Sequence, residues 1–244
     1  MIWSNYESRF GLWFSAVLAV TTAVGLPVPA RASDRALSFT NDVVPVLTKA
    51  GCNSGACHAK AGGGQNGFQL SVLGFEPRED YEHLVKEGRG RRLVVAAPDQ
   101  SLLLRKPSGQ VPHGGGIRLA ETSDGYRVLR EWIGQGAPWG AADEPQLVGF
   151  EVQPSQGLVP RQGTQQLRTI ARYSDGAQRD VTATTMFATN DPAMAEVTPS
   201  GGVHALDLSG KFSVMVRYQG RVAVFNASVP LGAPVEVEFV MELA

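Results

Sequence analysis

The chain has 244 residues, with 22 Lys and Arg against 23 Asp and Glu, so its formal net charge is −1. A nearly neutral chain lacks the excess of basic residues that nucleic-acid binding requires, and we expect no nucleic-acid partner. The length exceeds that of one small domain, and a change of sequence pattern near residues 138–145 predicts two.

The first segment has the pattern of an export signal. Arg9 is followed by an apolar run over 11–20 and then by Ala30-Arg-Ala32, a small-x-small cleavage pattern. The apolar run is shorter than the roughly 20 residues that a membrane-spanning helix needs. The sequence therefore predicts a signal peptide over 1–32, a periplasmic or cell-surface protein, and no stable membrane span after signal cleavage.

A short helix is predicted next, over 42–49. Asn41 or Asp42 would cap it, Pro45 is tolerated in its first turn, and Gly51 ends it. The segment that follows the helix end holds both cysteines of the chain.

These cysteines lie in the run Cys52-Asn-Ser-Gly-Ala-Cys57-His58. Two thiols can add across the vinyl groups of a haem, and a histidine directly after the second thiol is then held under the iron. The usual spacing is Cys-x-x-Cys-His, whereas four residues separate the cysteines here. Because these four are small or turn-forming, we expect them to bulge outward and leave Cys57-His58 in place. The motif predicts one covalent haem c, with Cys52, Cys57 and His58 binding the cofactor and His58 binding its metal.

Two other interpretations of the same residues stay open. An exported protein commonly pairs its cysteines, but a Cys52–Cys57 disulfide would enclose only four residues and contribute little stability. Zinc would need a fourth ligand in addition to Cys52, Cys57 and His58, and none stands close by in the sequence.

A second metal ligand is sought among the histidines, because none of the five methionines falls between residues 37 and 140. His113 lies between Pro112 and three glycines, which would let the backbone approach a bulky ring. His83 lies in a helical-looking stretch over 81–85. We favour His113 as the second axial ligand, with His83 or an open site as alternatives. Two imidazoles would make the iron low-spin, with a potential below that given by a methionine ligand.

The chain between the cysteines and residue 122 is rich in glycine, so a covalently attached haem would supply much of its core. The expected apolar wall comprises Phe68, Leu70, Val72, Leu73, Phe75 and Leu102 to Leu104, residues that could equally well form an ordinary core. A basic run, Arg89-Gly-Arg-Arg92, with Lys86 and Lys106, would pair with haem propionates or a redox partner, or form a solvated face. A helix over 123–133 places Tyr126, Leu129, Trp132 and Ile133 on one face, with Trp132 expected in the core.

The first half resembles a planctomycete-type cytochrome c domain. The resemblance is carried by Asn41-Asp-Val-Val-Pro-Val-Leu, Gly51-Cys-Asn-Ser-Gly-Ala-Cys-His58, Gly67-Phe-Gln-Leu-Ser71, Arg89-Gly-Arg-Arg92, Ser101-Leu-Leu-Leu-Arg-Lys-Pro107, Val111-Pro-His-Gly-Gly-Gly116, Glu131-Trp-Ile133 and Gly136-Ala-Pro138. It implies a mainly α haem domain over 37–140, with thioether bonds at Cys52 and Cys57 and His58 as proximal ligand. Members of this family are typically exported and bind one c-type haem.

The pattern changes to period two in the second half, with strands expected at 147–152, 166–173, 212–218 and 222–229 and turns at 174–176 and 219–220. This spacing predicts an antiparallel sandwich. The order of Tyr173-Ser-Asp-Gly-Ala, Arg179-Asp-Val-Thr182, Ala188-Thr-Asn-Asp191, Ala195-Glu-Val197, Gly201-Gly and Gly210-Lys-Phe resembles a group 2 bacterial immunoglobulin-like domain. The resemblance implies an all-β sandwich over 146–230, acting as a spacer or docking domain, followed by a C-terminal tail over 231–244.

The sequence thus predicts an exported, single-haem electron-transfer protein that serves a redox partner protein and is not an enzyme. One alternative is a haem-free surface adhesion or binding protein with a Cys52–Cys57 disulfide. Another is a haem peroxidase-like enzyme with an open distal position.

Overall fold

The computed structural model describes residue 1, residues 36–55 and residues 57–232. Apart from residue 1, the predicted signal peptide lies outside the described residues, as does the predicted tail apart from residues 231 and 232. The chain divides into two units, Met1–Asp34 and Arg35–Ala244, and all that follows concerns the second. We call residues 36–145 the loop-rich region and residues 146–232 the sheet region.

The loop-rich region has four short α-helices joined by turns. They are α1 (Val44–Lys49), α2 (Pro77–Val85), α3 (Leu102–Arg105) and α4 (Asp124–Gly134), and a π-helical turn, Phe39–Val43, leads into α1. The prediction of a mainly α first domain is wrong, because most of this region is turns, 3-10 segments and irregular chain. Gly63, Gly64 and Gly67 have φ of 82°, 64° and 73°, a left-handed conformation that no α-helix accommodates.

Two helices begin at serine caps. The predicted helix after residue 41 forms, but its turn is capped by Ser38, whose Oγ accepts the backbone N–H of Asn41, rather than by Asn41 or Asp42. Ser123 caps α4 in the same way by accepting the N–H of Tyr126. The predicted buried face of α4, with Tyr126, Leu129, Trp132 and Ile133, is confirmed.

An aromatic cluster forms the centre of the loop-rich core. Phe39 contacts Tyr81, Trp132 and Trp139 at ring-centroid distances of 5.2, 5.7 and 5.8 Å. The indole Nε1 of Trp132 donates to the carbonyl of Pro138 at 2.8 Å, so this fully buried ring has no unpaired donor. Trp132 is therefore a core residue, as the helical pattern predicted.

The sheet region contains ten strands in three sheets. The strands are β1 (Leu147–Gln153), β2 (Gln156–Leu158), β3 (Thr164–Gln166), β4 (Arg168–Tyr173), β5 (Gln178–Asp180), β6 (Met186–Thr189), β7 (Ala195–Val197), β8 (Gly202–Ala205), β9 (Gly210–Tyr218) and β10 (Arg221–Val229). The strand orders are β1-β4-β5, β2-β10-β9-β6 and β3-β8-β7.

Three of the predicted strands and both predicted turns are confirmed. The strand predicted over 166–173 is instead divided between β3 and β4, which lie in different sheets, and the arrangement is not wholly antiparallel. Strand β2 pairs with β10 in parallel, with Gly157 opposite Ala227, so the four-stranded sheet is mixed, whereas the other two sheets are antiparallel. The β9–β10 hairpin turns at Gln219 and Gly220, which have φ of 45° and 71°. Phe212, Val214 and Phe225 of this hairpin point into the sheet core, where each is at most 2% exposed.

Hydrogen bonds join the loop-rich and sheet regions. The Nζ of Lys49, at the end of α1, donates to the carbonyls of Thr185 at 3.3 Å and Pro199 at 2.9 Å. In the hairpin turn, the N–H of Gly220 donates to the carbonyl of Leu73 at 3.0 Å. The helix that precedes the cysteines is thus fixed against the sheet region. Among the described residues, no helix has the length and apolar character to cross a membrane.

Candidate functional site

The described residues between the cysteines, 53–55, belong to a tight loop that follows α1. Gly51 ends the helix in a left-handed conformation, with φ of 75°. The N–H of Cys57 donates to Ser54 at 3.0 Å, and the N–H of His58 donates back to the carbonyl of Cys52 at 3.0 Å. These bonds bring Cys57 and His58 beside Cys52 despite the four intervening residues.

Asn53 points inward, which the sequence did not predict. It is 1% exposed, its Nδ2 donates to Oγ1 of Thr48 at 2.9 Å, and its backbone carbonyl accepts the N–H of Leu73 at 3.0 Å. Gly55, by contrast, is exposed. The expected outward bulge is therefore only partly right, because the first extra residue anchors the loop in the core.

Both cysteines and two histidines line one cavity of about 480 Å³. This volume lies in the range of ordinary cofactor pockets. The apolar part of the wall comes from Leu47, Phe68, Leu84, Leu102, Leu103 and Pro107. The expected wall is thus found at Phe68, Leu102 and Leu103, whereas Leu70 and Leu104 lie in the core and Phe75 is 73% exposed.

His58 and His113 face each other in this cavity. Their ring centroids are 6.2 Å apart and their planes differ by 15°. A metal bound to two imidazoles at about 2 Å each places the ring centroids about 6 Å apart. The observed separation of the ring centroids, 6.2 Å, lies close to this value.

A backbone carbonyl orients each of these rings. Nδ1 of His58 lies 3.3 Å from the carbonyl of Phe68, and Nδ1 of His113 lies 2.9 Å from that of Gly116. A carbonyl oxygen only accepts, so Nδ1 is the donor in each pair and Nε2 is the ring nitrogen left for a metal. Metal-binding histidines are typically oriented by such a bond.

His83 does not reach the cavity wall. Its Nδ1 lies 2.8 Å from the carbonyl of Gln69, and its Nε2 lies 3.8 and 3.5 Å from carboxylate oxygens of Glu79 and Glu87. The structure therefore brings His113, and not His83, to His58.

Burial controls the protonation of the site. It raises the pKa of the Cys52 thiol to about 12, an effect that nearby Cys57 reinforces and Arg118 opposes. Burial also lowers the pKa of His58; the Phe68 carbonyl opposes this, while His113, Lys106 and Arg92 add to it. His58 is thus held as the neutral imidazole that binds metals.

Four basic residues line the cavity, namely Arg91, Arg92, Lys106 and Arg118. No Asp or Glu of the described residues lines it. Arg92 has a structural role, since its guanidinium donates to the carbonyls of His83 at 2.6 Å and Gly67 at 2.9 Å and lies over the Phe68 ring. Nε of Arg118 donates to the carbonyl of Gly115 at 2.7 Å, so the two terminal nitrogens of its guanidinium are the ones left to bind a ligand. Arg89 and Lys86, the other members of the basic group seen in the sequence, do not line the cavity.

Both thiols are free in the structure. In the part of the chain that the structure describes, no group of three or more His, Cys, Asp or Glu side chains is placed to bind a metal ion. What the cavity does offer is two thiols and two facing imidazoles.

No family model matches the chain, and no curated protein matches it. Among solved structures, the S-layer protein rSbsC(31-844) is similar over 38% of this chain and 14% of its own, with 16% identity and a TM-score of 0.33. Domains 5-6 of the S-layer protein SbsC match over 38% of this chain and 48% of theirs, with the same identity and TM-score. An endo-beta-1,4-mannanase from Thermotoga petrophila has 16% identity over 49% of this chain and 27% of its own, with a TM-score of 0.19. Similarity at these TM-scores does not establish a common fold.

Proposed function

We propose that this protein is an exported electron carrier that binds one covalent haem c in the cavity between His58 and His113. The observation that carries the proposal is the facing pair of imidazoles, whose ring centroids are 6.2 Å apart in a cavity that both cysteines also line. When bound, the haem supplies reversible one-electron chemistry at its iron.

Each part of such a group has residues suited to hold it. Cys52 and Cys57 are the thioether positions, and His58 and His113 offer one Nε2 each to the metal. The apolar wall suits the macrocycle, while Lys106 and Arg118 suit its two carboxylates, because a cation beside a carboxylate compensates its charge out of water.

The ligand pair favours electron transfer over peroxidase chemistry. With both metal-facing positions taken by imidazole, a peroxide could reach the metal only after one imidazole had left. The three methionines of the described residues beyond Met1 (Met186, Met194 and Met215) all belong to the sheet region. We therefore expect a low-spin iron with a potential below that of a His/Met cytochrome, serving a redox partner protein outside the cytoplasm.

The test is to express the full chain in a host able to mature c-type haem. We expect a pyridine haemochrome that survives denaturation and a protein mass increased by one haem. Cys52→Ala with Cys57→Ala should abolish both signals. A product that carries only its peptide mass would contradict the proposal and would favour the disulfide-closed adhesion protein.

The ligand assignment has a separate test in the same protein. His113→Ala should convert the low-spin spectrum to a high-spin one, whereas His83→Ala, the matched control, should leave it low-spin. If His113→Ala stays low-spin, His113 is not the second ligand.

A further inference from the structure

The two facing histidines differ in how firmly the fold holds them. The N–H of His58 donates to Cys52, its carbonyl accepts the N–H of Leu70 at 2.7 Å, and its ring packs on Phe68 at a centroid distance of 4.7 Å. Phe68 is in turn covered by the guanidinium of Arg92, 4.7 Å from its ring centroid. His58 is thus fixed by segments ten or more residues away, and thioether bonds at Cys52 and Cys57 would fix it further.

His113 depends on its own turn instead. Its ring bonds to the carbonyl of Gly116 at 2.9 Å, and the N–H of Gly116 bonds back to the carbonyl of His113 at 2.9 Å. Both partners belong to the same turn, and Arg118, which donates Nε to the carbonyl of Gly115 at 2.7 Å, lies one residue beyond it. The imidazole and the groups that orient it can therefore move as one body. The segment 112–117 has no helix or strand, and Gly114, Gly116 and Ile117 are exposed.

Three glycines make this turn adaptable. A Cβ on Gly115 would lie 3.0 Å from Cε1 of His113, so the ring rests directly on bare backbone. A Cβ on Gly114 would meet nothing within 4 Å, and its φ is outside the left-handed region. A run of three glycines gains much backbone entropy when it is released, which favours opening of the turn.

We infer that the metal-facing position of His113 is exchangeable and is a binding site for a small neutral ligand with a donor lone pair, such as carbon monoxide. The inference rests on the proposed haem. On exchange, His113 would withdraw its Nε2 lone pair from the metal and the ligand would supply its own lone pair there, with no electron transferred. His58 stays bound throughout, and His113 moves outward with residues 112–117.

The experiment mixes carbon monoxide with the matured full chain reduced by dithionite and follows the absorbance. We expect conversion to a carbonyl spectrum, at a rate that levels off as carbon monoxide increases, because release of His113 becomes limiting. In His113→Ala the rate should be roughly tenfold faster or more and should stay proportional to carbon monoxide, since no imidazole has to leave.

Two further variants sharpen the test. Gly114→Ala removes backbone freedom without a clash and should slow the limiting rate about two- to fivefold. His83→Ala should leave it unchanged.

Either of two results would overturn the inference: a reduced wild-type protein that keeps its bis-imidazole spectrum under saturating carbon monoxide, or equal rates in wild type and His113→Ala. Failure of the proposed function would look different, because the covalent haem band would be missing before any gas is added.

Discussion

Asp80 is a buried carboxylate that fixes the loop after Leu70. It is 2% exposed, and its two oxygens accept the N–H of Ser71 at 2.5 Å and the hydroxyl of Ser71 at 2.7 Å. The same hydroxyl accepts the N–H of Glu76 at 2.9 Å. Asp80 therefore ties the start of α2 to the chain that leads back to His58.

Burial is the main effect on Asp80 and raises its pKa, although the Ser71 bonds and nearby His83 oppose this and Glu79 adds to it. A raised pKa means that the folded state holds this proton more tightly, so the stabilisation is complete in acid and is lost as pH rises through the folded pKa. We expect the stability advantage of wild type over Asp80→Asn to shrink between about pH 4 and neutrality. Urea unfolding across that range measures it, and an advantage that grows with pH would contradict the prediction.

Arg92 positions the ring against which His58 packs. Its guanidinium spans the carbonyls of His83 and Gly67 and covers Phe68. Lysine has a single ammonium and no plane, so Arg92→Lys should lose about 1–3 kcal/mol of unfolding free energy. Denaturant unfolding checks this, with Arg89→Lys as the neighbouring control, and equal losses in both variants would show that Arg92 has no special role.

At this scale the sequence predicted the residues of the site better than their supports. Cysteine spacing and the scarcity of histidine pointed to Cys52, Cys57, His58 and His113. The roles of Asn53, Asp80 and Arg92 depend on carbonyls and hydroxyls far along the chain. A polar side chain carries no periodic signal that reveals such partners, so only the structure shows them.

Among the elements, strand β5 is held to β4 by an ion pair between the start of β4 and the end of β5. Asp180 accepts Nε of Arg168 at 2.6 Å and the N–H of Thr182 at 3.0 Å. The pKa of Asp180 is lowered to about 2. The largest cause is the hydrogen bond from the hydroxyl of Thr182, and the next are the bonds from Arg168 and from the N–H of Thr182.

Because the pKa of Asp180 is lower in the folded state, its carboxylate stabilises the fold at pH values above its pKa in the unfolded chain, near 4. This stabilisation is lost as pH falls through about 2. Asp180→Asn should therefore cost up to about 1 kcal/mol near neutrality, because the site is solvent-screened, and less in strong acid. Thermal unfolding at several pH values tests this against Asp207→Asn, another surface carboxylate. A cost independent of pH would rule out the ionised carboxylate as its source.

Helices and strands with a clear period were predictable, whereas the loops were not. The stripe of Tyr126, Leu129, Trp132 and Ile133 identified α4, and alternation identified β9 and β10. The short strands β2, β3 and β7 have three residues each, too few to show a period. The parallel pairing of β2 with β10 likewise left no mark in the local sequence.

On the scale of the whole molecule, the β9–β10 turn docks on the loop-rich region. Gly220 has φ of 71°, and a Cβ there would lie 3.2 Å from Cα of Phe75. Gly220→Ala should therefore strain the turn and press on residue 75, at a cost of about 1–3 kcal/mol. Gly232→Ala, where a Cβ meets nothing within 4 Å, is the matched control.

This contact also predicts that the two regions unfold together. Trp132 and Trp139 are the only tryptophans beyond residue 32, so fluorescence reports on the loop-rich region while circular dichroism reports mainly on the strands. The two transitions should coincide in wild type and separate, or both shift down, in Gly220→Ala. Separate transitions in wild type would show that the bonds from Lys49 and Gly220 do not couple the regions.

The sequence by itself determined the chemistry that this chain can offer: two thiols followed at once by an imidazole, no methionine nearby, and a second histidine among glycines. Local covalent order fixes such features, because neighbours along the chain stay neighbours in space. Only the tertiary structure decided that His113 faces His58, that Asn53 turns inward and that the first half is built from loops rather than long helices. Those outcomes depend on packing and hydrogen bonds between distant segments, whose free energies no local pattern records.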